Sequence, residues 1–140
     1  IEKEARNDFP VLRNIIRTFP GIGQILGLTI LYEIGDIERF ASVQKFASYS
    51  RLVKCKAESA GKIYGTSGNK IGNGYLKWAF SEAAVLYLRG NDKAKRYLDK
   101  LQKRMSKGKA LSALAHKIGR CIYFMLRNKQ VFDEDKFLKG

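Results

Sequence analysis

Residues 15–40 read IIRTFPGIGQILGLTILYEIGDIERF, an apolar stretch interrupted by Pro20-Gly21-Ile22-Gly23 and resumed at once. This is the pattern of two helices joined by a glycine hairpin. Gly21 and Gly23 carry no Cβ, so their backbone can take positive φ and come close to a phosphate, while the free N–H groups opening the next helix point at it. The same pattern also fits a sharp helix–helix turn that binds nothing. Charge favours the first alternative: the chain has 27 Lys+Arg against 13 Asp+Glu, a formal net charge of +14. These cations are spread along the sequence, so folding leaves them on faces that attract phosphates.

Working outward, Leu12, Ile15, Ile16 and Phe19 recur at helical spacing behind Asp8 as a cap and Pro10 in a first turn, which predicts a helix from about Pro10 to Phe19. The stretch from Gln24 to Ile34 is apolar at nearly every position and predicts a helix buried on most sides, with Gly27 marking a close helix contact and Gly35 the end. Asp36 then caps a short turn through Phe40. A third helix is expected over Ser42 to Tyr49, with Val43, Phe46, Ala47 and Tyr49 facing inward.

Between residues 50 and 74 the pattern changes to a long glycine-rich loop, with room for one short β-hairpin. Glycines at 61, 65, 68, 72 and 74 alternate with Ser59, Thr66, Ser67, Asn69 and Asn73. From Lys45 to Lys77 there are seven basic residues against Glu58 alone. Three helices follow. Leu76, Phe80, Ala83 and Tyr87 mark one face of the first, which also carries Trp78 and reads as central to the core. Ala94, Tyr97, Leu98, Leu101 and Met105 stripe the second, and the segment from Arg89 to Lys109 holds nine basic and two acidic residues. The third spans about Ala110 to Arg127, and the tail with Asp133, Glu134 and Asp135 reads as a short helix with a solvated acidic face. The class is all-α: a single helical domain containing a helix-hairpin-helix.

Several kinds of chemistry find no support. The carboxylates form no cluster suited to magnesium, and Asp36 with Glu38 reads as a helix cap. Cys55 and Cys121 lack CxxC spacing and have only His116 for company, so neither a disulfide framework nor a zinc site is expected. His116 sits one residue off the apolar stripe, as a helix-surface histidine does. No run approaches the roughly 18 apolar residues that span a bilayer, and a cytoplasmic protein is expected. Ser59, Thr66 and Ser67 stand among Lys56, Lys62, Lys70 and Lys77, a setting in which a hydroxyl can attack a phosphodiester. Hydroxyls in such loops more often cap turns or bond phosphate oxygens, and spacing alone does not choose. Backbone contacts are expected from Gly21, Gly23, Lys56, Lys62, Lys70, Asn73 and Lys77, with Lys93, Arg96 and Lys100 adding affinity. The hairpin and the cationic loop are expected to form one continuous positive cradle.

The ordered segments TFPGIGQILGLTILYEIGDIERFASVQKFASYSRLV, ESAGK and GNKIGNGYLKWAFSEAA resemble the C-terminal transposase domain of DEDD-type, RuvC-like insertion-sequence transposases, relatives of the pilin-gene DNA invertases. The resemblance covers about residues 12–90. It implies a bacterial or archaeal DNA transposase whose separate N-terminal RuvC-like nuclease domain carries the metal-binding acids and magnesium, with no cofactor in this part. It further implies a full-length homo-oligomer, DNA as partner, and an element-encoded guide RNA as a further one. The family serine matches Ser59 in Glu58-Ser59-Ala60-Gly61-Lys62, which makes Ser59 the catalytic candidate. The chain departs from the family pattern at Arg51, Lys54, Ala60 and Asn69.

On this reading residues 1–9 end a preceding linker helix of a longer protein and residues 10–140 form the C-terminal transposase domain. Within it, 10–40 is the helix-hairpin-helix, 50–74 the basic loop and 75–127 the helical bundle. A rival is a non-catalytic helix-hairpin-helix adaptor for DNA or RNA. A third reading is an interaction module whose basic face meets an acidic protein.

Overall fold

The computed structural model describes residues 2–53 and 72–139, with side chains from Phe9 onward. Its described residues are helical and contain no strand. The expected β-hairpin falls within 54–71, outside the described residues.

The first helix, α1 (Glu2–Ile16), begins earlier and ends sooner than its periodicity predicts, and Pro10 lies inside it rather than in its first turn. A proline removes one backbone bond from a helix, and flanking turns carry the helix through it. Beyond Ile16 the bonds tighten from i−4 to i−3: Thr18 N donates to Ile15 O and Phe19 N to Ile16 O, at 3.1 and 3.2 Å. The Thr18 hydroxyl also takes the Ile15 carbonyl, at 2.6 Å, which explains the early end. Phe19-Pro20-Gly21-Ile22 then makes a tight turn closed by Ile22 N to Phe19 O at 3.1 Å. Pro20 supplies the fixed φ of the second position and Gly21 the positive φ, 101°, that a type II turn needs at the third.

Helix α2 (Gln24–Ile34) has the bounds its sequence predicts and ends at Gly35, whose φ is 72°. Asp36 caps the following 3-10 turn (Ile37–Arg39) by accepting from Glu38 N. Ser42 caps α3 (Val43–Tyr49) and Asn73 caps α4 (Gly74–Leu88). Asn91 and Ser106 do the same for α5 (Asp92–Gln102) and α6 (Lys107–Asn128). The chain closes with α7 (Glu134–Lys139).

The core is the pairing of α4 with α6. Helix α2 covers α4, while α1, α3 and α5 line α6. Leu76, Phe80, Ile118, Ile122 and Tyr123 are fully buried there. Gly27 of α2 fits where a Cβ would stand 3.2 Å from Ile16 Cγ2, the close helix contact its position predicts. At one end Phe19, Tyr87, Phe132 and Phe137 form an aromatic cluster with ring centroids 4.5–6.3 Å apart. At the other, the Phe40 carbonyl accepts from Tyr123 Oη at 3.0 Å and Arg127 Nη1 at 3.3 Å, tying the turn after α2 to α6.

Two expectations need correction. Helix α2 buries Leu26, Gly27, Ile30, Leu31 and Ile34 but keeps one stripe in solvent, where Ile25 and Tyr32 project. Trp78 belongs to the central helix but not to the core: it stands on the face of α4 opposite Leu76, Phe80, Ala83 and Tyr87 and is exposed.

Candidate nucleic-acid interface

The hairpin glycines divide their work. A Cβ on Gly21 would lie 2.8 Å from Tyr87 N and 3.1 Å from Leu86 C, so Gly21 lets the turn rest directly on the backbone of α4. Gly23 is exposed, meets nothing within 4 Å, and serves as N-cap of α2 without a side-chain cap. No acidic residue occupies the first turn of α2. The positive end of that helix is therefore open to solvent, with N–H groups that no side chain among the described residues satisfies.

Four residues beyond Tyr87, Asn91 starts α5, so the hairpin and the beginning of α5 share one end of α4. Asn91 uses both ends of its side chain: Oδ1 accepts from Ala94 N at 3.0 Å and Nδ2 donates to Glu134 Oε2 at 3.1 Å. The same carboxylate oxygen accepts from Tyr87 Oη at 3.0 Å. Glu134, expected on a solvated acidic face, instead fastens α7 and α5 to the end of α4, while Asp133 and Asp135 are exposed. Burial first, then this carboxylate, pushes the Tyr87 phenol well above its ordinary value.

Helix α5 turns Ala94, Leu98 and Leu101 inward. Lys93, Arg96 and Lys100, at i, i+3 and i+7, run along its outer face, all exposed and without a side-chain hydrogen bond or ion pair among the described residues. Like charges in this register repel one another, so the stripe is relieved by a polyanion rather than by the protein itself.

The opposite end of α4 holds a polar knot. Asn73 Oδ1 accepts from Leu76 N at 3.0 Å, and Nδ2 donates to Glu33 Oε1 at 2.7 Å. Asn73 N donates to Tyr49 O at 2.6 Å, and a Cβ on Gly72 would lie 2.7 Å from that same carbonyl, which fixes its φ of 102°. The chain thus leaves at Val53 and returns at Gly72 beside one spot, the end of α3. Arg39 stacks over Phe40 and Tyr49, 4.4 and 4.8 Å from the ring centroids, and donates through Nε to Ile34 O at 2.8 Å. Hydrogen bonds from Arg39, then Asn73, hold the Tyr49 phenol below its ordinary value.

Of the residues expected to contact a backbone, Gly21, Gly23, Lys93, Arg96 and Lys100 belong to the hairpin end, and Asn73 and the exposed Lys77 to the other. Ser59, Lys56, Lys62 and Lys70 lie outside the described residues. Fifteen residues of α4 separate the two ends, about 21 Å at 1.5 Å per residue. The described roots of the cationic loop therefore stand away from the hairpin. Sequence reading missed Arg39, Glu33 and Tyr49; an arginine three residues past the Gly35-Asp36 helix stop was the available signal, since such a side chain can cap the carbonyls left behind. Cys121 is a free thiol, pushed up to about 11 by burial, and unsuited to act as a nucleophile. No described helix is long and apolar enough to cross a membrane.

An all-helical domain with an open, glycine-capped helix start beside a helix striped with exposed cations defines a basic domain suited to polyanionic partners. The family model described as "Transposase IS116/IS110/IS902 family" matches residues 13–99, and the chain belongs to that family. It is 26% identical over 134 residues to the "Insertion element IS116 uncharacterized 44.8 kDa protein" of Streptomyces clavuligerus, covering 94% of this chain and 34% of that protein. It is also 26% identical over 121 residues to the "Transposase for insertion sequence element IS1111A" of Coxiella burnetii (strain RSA 493 / Nine Mile phase I), covering 84% of this chain and 33% of that one. The chain spans about a third of the length of both curated relatives. No solved structure matches it.

Proposed function

We propose that this chain is the nucleic-acid-binding C-terminal part of a DNA transposase, gripping DNA with the open start of α2 and the outer face of α5. The observation that carries this reading is the stripe of Lys93, Arg96 and Lys100, exposed and without a side-chain partner among the described residues, on a helix that starts at the same end of α4 as Gly23. Ser59 is the proposed nucleophile: its hydroxyl oxygen bonds to the phosphorus of a DNA phosphodiester, the P–O bond to one deoxyribose breaks, and that sugar leaves as a hydroxyl once it takes up a proton, while lysines close in sequence offset charge on the phosphoryl oxygens. A RuvC-like nuclease domain of the full-length chain, its magnesium, an oligomeric assembly and a guide RNA complete the proposal through the family resemblance.

Fluorescence anisotropy of a labelled duplex over a salt series tests the interface. If about six phosphates are contacted, log affinity falls with log salt at a slope near −5, and the combined K93E, R96E and K100E variant flattens that slope by about 3. Equal affinity of variant and parent refutes the interface. For the serine, Ser59→Ala in the full-length protein abolishes strand exchange and leaves DNA affinity in place; a variant that still exchanges strands removes Ser59 from the mechanism.

A further inference from the structure

Four large aromatic side chains among the described residues are left outside a core that buries Phe19, Phe46, Phe80, Tyr87 and Tyr123; Phe124 sets its ring against Tyr123, and the other three are Tyr32, Tyr75 and Trp78. Tyr32 is 84% exposed, Tyr75 68% and Trp78 53%. Helices α2 and α4 run antiparallel, because Gly21 before α2 rests on the end of α4 while Glu33 near the end of α2 receives the hydrogen bond of Asn73, the cap of α4. Tyr32 adjoins Glu33, and Tyr75 and Trp78 lie in the first turns after Asn73, so all three rings belong to one end of the helix pair. Among the described residues none of them makes a ring contact, a cation–π contact or a side-chain hydrogen bond.

Cations stand near them at this end of the helix pair. Lys77 lies between Tyr75 and Trp78 in sequence, exposed and without an ion pair among the described residues, and Arg39 stacks on the Tyr49 ring. Of the acids at this end, Glu33 is engaged by Asn73, Glu38 pairs with Arg127 at 3.3 Å, Asp36 caps the 3-10 turn, and Glu82 follows one turn past Trp78. Exposed flat rings suit a strand whose bases are free to stack, since a paired base offers a protein only its edges, and a nearby cation can meet its phosphates.

We infer that Tyr32, Tyr75 and Trp78 form a stacking platform for the unpaired bases of a single DNA strand. The inference rests on the proposed nucleic-acid role and assigns to this end of α4 a ligand distinct from the duplex held at the hairpin end. A strand that leaves its duplex during transfer presents such bases, and stacking accepts them without regard to sequence.

Trp78 is the only tryptophan of the 140 residues, so its emission reports on the platform directly. The 140-residue chain is titrated with an oligothymidine of about 15 nucleotides and, separately, with a duplex of equal length, following Trp78 emission and the anisotropy of labelled strands together. The single strand quenches Trp78 as it binds, whereas the duplex binds without quenching. Tyr75→Ala and Trp78→Ala each lower affinity for the single strand about 5-fold to 100-fold and spare the duplex, and Trp78→Phe restores most of the loss. Single-strand binding with unchanged emission, or equal losses on single strand and duplex, overturns the inference. So does a change of sedimentation behaviour in the variants with strand binding intact, which would mark a protein interface. If neither nucleic acid binds, the proposed function itself fails; if the duplex alone binds, only the platform does.

Discussion

Replacing Gly21 by alanine tests whether the hairpin owes its glycine to packing. Two effects add. At a φ of 101° an L side chain is strained by about 1–2 kcal/mol. The new Cβ also falls 2.8 Å from Tyr87 N and 3.1 Å from Tyr87 Cα, both main-chain atoms of the central helix that no rotamer change can move aside. Forcing an extra methyl into such a site costs about 1–3 kcal/mol. The sum is about 3 kcal/mol, which in a domain of this size lowers the melting midpoint by about 10 °C. Gly23→Ala is the internal control. Its Cβ meets nothing within 4 Å and its φ of −87° is ordinary, so only the poorer capping preference of alanine remains, about 0.5 kcal/mol. Urea unfolding followed by far-ultraviolet circular dichroism reads both variants. Coincident midpoints for Gly21→Ala and the parent chain would refute the packing role, whereas a large loss in Gly23→Ala would show that the open N-cap is not as free as its surroundings indicate.

Asn73→Ala removes the cap of α4 and the donor to Glu33 together, and destabilises by about 1–2 kcal/mol in the same assay; Asn73→Asp, which keeps the cap oxygen but sets a carboxylate against Glu33, recovers none of this unless Glu33→Gln accompanies it. Glu134→Ala leaves the buried Tyr87 hydroxyl without its acceptor and loosens Asn91, lowering stability by about 1–3 kcal/mol; Tyr87→Phe in that background restores part of the loss, and strictly additive effects would dissolve the proposed link. Burial first, then Arg120, lowers the His116 imidazole below 6.5 in the folded chain, so the unfolded chain binds the extra proton first. Stability is then fully present above about pH 6.5 and falls as pH drops from there toward the folded value; His116→Gln should flatten that slope, and an unchanged slope counts against the assignment.

What the sequence made legible was local. The bounds of α2 follow from a turn before it and Gly35 after it, and Asp36 announces its own capping role because acceptor and donor stand two residues apart. The stripe on α5 is readable because a strongly amphipathic helix leaves its cations only one direction to point. Pro10 misled because proline is common in a first turn, and the polar residues before it carry no periodic signal to place the helix around it. The bonds that assemble the site join distant positions: Asn73 to Glu33 across 40 residues, Tyr87 to Glu134 across 47, Tyr123 to the Phe40 carbonyl across 83. The exposure of Tyr32 and Trp78 was hidden for a related reason. Both lie on helices apolar nearly all round, where the pattern names no outer face and the placement of neighbours decides it.

Helix α4 acts as the ruler for these pieces. The hairpin rests on its last turn and the roots of the cationic loop on its first, about 21 Å away. Along duplex DNA the phosphates of one strand advance by about 3.4 Å each, so that distance corresponds to about six of them. A partner shorter than this can engage the hairpin and α5 or the aromatic end, but not both. One long enough to span them could reach the proposed platform with a strand while its duplex portion stays on the cations of α5. On this geometry the gain in affinity with length should come as a step near six phosphates rather than as a smooth rise, because the second end adds its contacts intramolecularly once it is in reach. A smooth rise with no step would mean that the two ends of α4 serve separate partners.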